Sequence, residues 1–260
     1  EQRGERICYS PDSQRRTLNL SNFNLLFMVQ DNREMNGVLN GEHYGELTLI
    51  DEVGDDHHAT SIDTPLKPDA FDLSDEDKMK KIEGHFREIM DTIGLDLTDD
   101  SLNGTPRRVA KMFIKEIFSG LNPENKPAIS LFENKFQYKE MLVEKGIQVH
   151  SFCEHHFLPI YGKAHIAYIA NGKVIGLSKL NRIVEFFAKR PQVQERLTVQ
   201  IADELKKVLN TEDVAVYIEA KHMCVQMRGI EHIDCVTITS EYGGAFKKES
   251  VRNEFLQAIR

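Results

Sequence analysis

Cys153-Glu154-His155-His156 sets a thiol and an imidazole three residues apart, and another thiol, Cys224, stands far downstream in His222-Met223-Cys224. A chain that uses all three must bring two remote segments to one point, which constrains its fold more than any other feature here. Cys and His at this spacing can close on a single tetrahedral zinc ion, because one turn presents both. The same C-x-x-H spacing also arises from a buried Cys beside a His bonded to backbone. Cys224 tips the balance: Cys153, His156 and Cys224 as three protein ligands leave a fourth position open, the pattern of a catalytic zinc. With His155 or His222 as fourth ligand, the shell would instead be closed and structural.

The apolar spacing supplies the frame around that motif. After Ser74, an N-cap, Met79, Ile82, Phe86, Ile89 and Ile93 recur at helical steps until Gly94. Thr105-Pro106 opens a second helix, with Val109, Met112, Phe113 and Ile117 on one face and Gly120 as its stop. Arg107, Arg108 and Lys111 in its first turns are either an exposed basic face or a phosphate clamp. Met141 to Cys153 and Lys163 to Ala170 read as strands, so the Cys153 motif falls at a strand end. Ser178 is expected to cap a helix carrying Leu180, Ile183, Val184 and Phe187. Pro191 interrupts it before a longer helix with Val193, Leu197, Ile201, Leu205 and Val208 inward, and Gln194 and Glu195 in its first turn. Strands are expected at Val214 to Ala220, Met223 to Ile230 and Cys235 to Ser240, then a closing helix with Val251, Phe255 and Ile259. Helices and strands in this order predict an α+β domain with an antiparallel sheet over residues 71–260, including the helices between 74 and 120.

Residues 1–70 differ: polar, rich in Asn and Asp, with Pro65 and Pro68 and no sustained period, they are expected to be a mostly disordered or loosely docked extension. Met35, before Asn36-Gly37, is a candidate native start, with residues 1–34 contributed by upstream sequence. His57-His58 beside Asp55-Asp56 reads as a solvated cluster rather than a second metal site. The net charge of -8 argues against a nucleic-acid binder, which needs a positive field. No run reaches the roughly 18 to 20 apolar residues of a membrane span, and the stretch Leu25 to Val29 is far too short. Four cysteines, with Cys8 and Cys235 outside the ligand set, make no disulfide framework, and a reducing, cytoplasmic setting fits them. Cys235 reads as a small core residue and His165 as structural, while Arg190 and Arg196 read as solvated helix residues.

Five motifs in order carry a resemblance: Thr105-Pro106-Arg107-Arg108-Val109-Ala110-Lys111-Met112, Cys153-Glu154-His155-His156, Gly176-Leu177-Ser178-Lys179-Leu180-Asn181-Arg182, Gln192-Val193-Gln194-Glu195-Arg196-Leu197, and His222-Met223-Cys224 with Arg228-Gly229. Together they resemble GTP cyclohydrolase I from about Ser74 to the C-terminus. The resemblance does not cover the first 70 residues, and Gln226-Met227 departs from the Lys-Ala common in bacterial members, a change in the pocket wall. It implies the tunnelling fold: an antiparallel sheet with helices on one face, joined between subunits into an oligomeric barrel, two pentamers stacking as a decamer with pockets between subunits. The implied reaction converts GTP and water to 7,8-dihydroneopterin triphosphate and formate, a hydrolysis at a cyclic amidine that opens tetrahydrofolate and pterin biosynthesis. Zn²⁺ is the implied cofactor; GTP and further copies of the chain are the implied partners, with no nucleic acid and no membrane.

The chemistry asks for these side chains. Adding water to C8 of a purine calls for a strong nucleophile at neutral pH, and zinc can bring the pKa of water from about 15.7 to roughly 7. His155 is the candidate for protonating N7, and His222 with Ser178 for the later proton transfers. Glu195, with Gln194 beside it, is expected to accept from the N1-H and amine edge of guanine, which adenine lacks. Lys179, Arg182 and Arg228, with Arg108 and Lys111 from another subunit, would hold the triphosphate. The competing reading is a zinc- and nucleotide-binding scaffold of the same fold without turnover.

Overall fold

Capping decides where the first helix starts. The Ser74 hydroxyl accepts from the Asp77 N–H at 3.2 Å, and Asp75, Glu76 and Asp77 place negative charge at the positive end of helix α1 (Asp75–Thr92). The computed structural model describes residues 61–260; the readings of Met35, His57-His58 and the Leu25 to Val29 run lie outside them. Helix α2 (Thr105–Met112) starts one residue earlier than expected: Gly104 takes the cap and Thr105 the first helical position. It runs on as a π-turn over Phe113–Ile117 and a 3-10 turn over Ser119–Leu121. Gly120 is more than a stop signal. Its N–H donates to the Lys189 carbonyl at 3.0 Å, and a Cβ there would run into the carbonyl of Phe186.

The sheet follows the alternation of the sequence. Strands β2 (Met141–Cys153), β3 (Pro159–Ile169), β6 (Val214–His222) and β7 (Thr237–Tyr242) pair antiparallel, and the short β5 (Pro191–Gln192) adds parallel to the end of β2, in the order β5-β2-β3-β6-β7. β1 (Leu131–Glu133) and β4 (Lys173–Ile175) form a separate pair. Ala164, Ile166 and Tyr168 of β3 bury one face of the sheet against helix α3 (Leu177–Ala188) and helix α4 (Gln194–Leu209), where Leu180, Ile183, Leu197, Ile201 and Leu205 complete the main core. Alternate residues face the other way, and Ala167 and Ala215 pack with Phe246 and with Phe255 of helix α6 (Glu249–Ile259). Helices therefore lie on both faces, a correction to the expectation of one. The α+β class and the antiparallel sheet are as read from the sequence.

Helix α6 covers only part of its face. The remainder is an open hollow of about 750 Å³ lined by Lys145, Lys163, His165, Tyr217, Glu219 and Tyr242 among others. His165 is 7% exposed, packs edge-on to Tyr217 at 5.9 Å, and has its pKa lowered by burial. Gly162 permits a close strand approach: it faces Ala220, and a Cβ would collide with the Glu219 carbonyl and with Ala220. Gly162→Ala is accordingly expected to destabilise the chain by roughly 1–3 kcal/mol, read as a lower denaturant midpoint with an unchanged slope.

One expected strand is absent. Past His222 the chain turns into a short helix, α5 (Met223–Gln226), and the next strand begins at Thr237. The buried Gln226 explains the turn, since its amide nitrogen donates to the carbonyls of Ile233 (2.8 Å) and Cys235 (3.2 Å) and folds residues 227–236 back as a loop. Cys235 is exposed on that loop, so it is not the core residue expected. The three described cysteines are free thiols. Among the described residues no helix is long and apolar enough to cross a membrane.

Candidate active site and metal centre

Strand β2 delivers Cys153 to a tight turn. The Cys153 N–H donates to the Leu158 carbonyl at 2.8 Å, the Phe157 N–H returns to the Cys153 carbonyl at 2.9 Å, and Phe157 takes a left-handed φ of 54° to close it. The turn projects Glu154, His155 and His156. β3 then pairs Ile160 with His222, which sets this turn beside the end of β6 and the start of α5. As a result one ligand atom each from Cys153, His156 and Cys224 lies within 4.8 Å of the others. Cys153 Sγ is 3.8 Å from His156 Nδ1 and 3.7 Å from His155 Nδ1. Arg228 Nη1 donates to His156 Nε2 at 2.7 Å.

The donor set fits a soft divalent ion. Burial pushes the Cys224 thiol up to about 11, with the neighbouring Cys153 adding to the rise. Two adjacent sulfurs lose their protons together only with a cation between them, and thiolate and imidazole donors select zinc over magnesium or calcium.

Around this cluster the first turn of α4 contributes the polar groups. The Gln194 amide nitrogen donates to the carbonyls of Ile218 (3.2 Å) and Thr237 (3.0 Å) and to Thr239 Oγ1 (3.1 Å). Those partners fix which end of the amide is oxygen, so Oε1 accepts at 2.8 Å from His222 and the ring proton sits on Nε2. Burial lowers the His222 pKa, while the carboxylate of Glu195 works against that shift. The Gln194 side chain is thus engaged inside the sheet and holds His222. Glu195 is exposed and shares an open cavity of about 550 Å³ with His155, Val193, Arg196 and Val199.

Two arginines differ from their reading as solvated. Arg196 is buried and pairs with Glu154. Arg190 lies 4.6 and 4.8 Å from the ring centroids of Phe186 and Phe187, with its pKa lowered by burial. Neither could be foreseen from helix periodicity alone, although Gln192 and Arg196 four residues apart, beside a glutamate in a strand-end motif, are the trace that the pairing leaves in the sequence. Ser178 falls in the first turn of α3, whose cap is Gly176, so it is not the cap expected. Ser178 and Arg182 are exposed and Lys179 is half-buried. The Arg108 guanidinium bonds the Ser101 carbonyl (3.1 Å) and Thr105 Oγ1 (2.8 Å) at the start of α2, with Lys111 further along the same helix.

A family model for GTP cyclohydrolase I matches residues 82–260, which include every residue of this site. The chain belongs to the GTP cyclohydrolase I family. A GTP cyclohydrolase 1 of Flavobacterium johnsoniae is 59% identical over 212 residues, 82% of this chain and 95% of the relative. Those of Aeromonas salmonicida and Escherichia coli are 52% and 51% identical over 203 residues, 78% of this chain and 92% and 91% of theirs. A solved structure of an archaeosine synthase QueF-Like in the apo form aligns with 40% of this chain and 94% of its own at 17% identity, with a TM-score of 0.34. Membership of the GTP cyclohydrolase I family makes the chain an enzyme, a hydrolase with GTP as its substrate.

Proposed function

We propose that this GTP cyclohydrolase I is zinc-dependent, with Cys153, His156 and Cys224 holding the metal and a fourth position left to water and substrate. The observation that carries this reading is the Cys-His-Cys cluster, its ligand atoms within 4.8 Å, next to a cavity that bears both His155 and Glu195. Zinc supplies Lewis-acid activation of water near neutral pH. The rest falls to the chain. His155, beside the cluster and open to the cavity, gives a proton to N7 as the purine ring accepts water at C8. His222, held by Gln194 with its proton on Nε2, serves the later transfers with Ser178.

Glu195 reads the guanine edge. It stands where the first-turn N–H groups of α4 have no side-chain cap, so the helix start also offers donors to a purine carbonyl. The cations at Lys179, Arg182 and Arg228, with Arg108 and Lys111 brought by another copy, take the triphosphate. Arg228 now contacts His156 Nε2; were His156 to hold the metal through Nδ1, its ring proton would sit on Nε2, which could not accept from Arg228, and the guanidinium would be released to phosphate.

In this reading residues 71–260 are the catalytic domain, and copies join through the open sheet edges into the barrel of the tunnelling fold, as a decamer. A scaffold without turnover is the alternative, and intact His155, His222 and Glu195 around an open metal position speak against it. The test is formate release from GTP by the full chain, with zinc measured in the same sample. About one zinc per chain and formate release that a chelator abolishes are expected. Full zinc without formate would establish the scaffold instead.

A further inference from the structure

We infer that Arg196 is a positioning residue for the metal-binding turn, acting through Glu154; the inference rests on the zinc reading of Cys153, His156 and Cys224. Arg196 follows Glu195 directly in the first turn of α4, is 5% exposed, and turns its guanidinium toward the turn, where Nη2 pairs with Glu154 Oε2. The other carboxylate oxygen, Oε1, is 3.8 Å from His155 Nε2. Glu154 is therefore the link between a helix start and the imidazole beside the metal ligands.

The guanidinium is fixed from behind. Its Nε donates to Gln192 Oε1 at 3.0 Å; the Gln192 amide donates in turn to the Phe187 carbonyl (3.0 Å) and to Gln200 Oε1 (2.9 Å), and Gln200 donates to Asp63 Oδ1 (2.8 Å). Backbone pairing runs in the same direction: Cys153 is opposite Gln192 in the β2-β5 ladder, and the Glu154 N–H donates to the Gln192 carbonyl at 3.0 Å. The main chain of the turn is thus set by β5, and the side-chain aim of Glu154 by Arg196. A planar fork with several fixed donors can do this; an ammonium cannot hold Gln192 and Glu154 in one plane.

Global stability does not single the pair out, because a buried ion pair exchanged for apolar groups of like volume is often neutral. Its location does. One end lies between a metal ligand and the candidate acid His155, and the other is adjacent to the candidate guanine reader Glu195. Groups that orient metal ligands without touching the metal typically govern affinity or activity by about 10- to 100-fold.

The experiment uses the full zinc-loaded chain with Arg196→Gln, Arg196→Lys, Glu154→Gln and the double variant Arg196→Gln/Glu154→Gln. Zinc loss to a chromogenic chelator, kcat and KM for GTP, and the urea midpoint are read for each. Arg196→Gln is expected to speed zinc loss about tenfold or more and to lower kcat by a similar factor with KM little changed. Arg196→Lys should recover only part of that. Glu154→Gln, which keeps volume and an acceptor, should move in the same direction and supplies the answer if Arg196→Gln does not fold. The double variant should be no worse than the worse single, as for two members of one interaction. Unchanged zinc loss and kcat in the folded variants, additive effects in the double, or a raised KM with zinc loss untouched would each overturn the inference. A wild-type protein that holds no zinc would overturn the zinc reading and this inference together, whereas zinc present with unaltered release overturns the inference alone.

Discussion

Cys224→Ala is expected to hold little zinc and to release formate from GTP on the order of 10³-fold more slowly, or not measurably. The proposed ligand set has three members within 4.8 Å, and removing one would leave a two-ligand site that no longer retains a labile ion. Losing the Lewis acid forfeits several kcal/mol of transition-state stabilisation, which is on the order of 10³-fold or more in rate. The fold itself should survive. Cys224 is only half-buried at the margin of the core, and its replacement removes one sulfur, about 1 kcal/mol of packing. Zinc content and formate release measured together, with the circular dichroism spectrum as the fold control, check the result. Cys235→Ala is the companion variant, since that thiol is exposed on the 227–236 loop and its loss should change neither quantity. Full activity in Cys224→Ala would remove the metal centre from the mechanism.

Glu195→Ala should separate recognition from metal binding: zinc stays near one per chain, while kcat/KM for GTP falls by roughly 10⁴. The carboxylate is exposed in the cavity beside His155 and is not among the residues gathered within ligand distance of Cys153 and Cys224. A site built around two donors on a guanine edge leaves them unpaired when the acceptor is removed, and water cannot compensate fully once the base is stacked in place. Glu195→Gln should be intermediate, because an amide presents one acceptor and one donor to two donors. Titration calorimetry with GTP on the zinc-loaded protein reads the difference, and an unchanged affinity would dismiss Glu195 as the guanine reader.

Much of this was legible before any coordinates. Ligand chemistry singled out Cys153, His156 and Cys224, which the fold does bring within 4.8 Å of one another, because so few side chains bind a soft metal that type and spacing nearly decide the candidate set. Period-two and helical spacing found β2, β3, β6, α1, α3 and α4, where one buried face leaves a repeating trace. The misreadings share a different physics. Met223 to Ile230 alternates like a strand, yet one buried amide, Gln226, bonds two carbonyls beyond it and bends the chain away. Arg196 has a helix position that periodicity calls exposed, but a strand end from elsewhere in the chain covers it and supplies a carboxylate. In each case a single long-range polar contact outweighs the local pattern, and local patterns carry no record of such contacts.

The two margins of the main sheet are largely uncovered by neighbouring strands among the described residues. Among the described residues β7 has a strand on one side only, and β5 covers just Phe152 and Cys153 at the end of β2. Beside β7 the loop and strand expose Ile230, Ile233, Val236 and Ile238. While unpaired, such margins are adhesive: each offers main-chain donors and acceptors in a row with greasy side chains alongside, a template for any passing strand. In the assembly proposed above, the newly made single chain is the form most exposed to aggregation and to chaperones, and the yield of working enzyme would depend on how quickly like copies meet at those margins rather than on how well one copy folds.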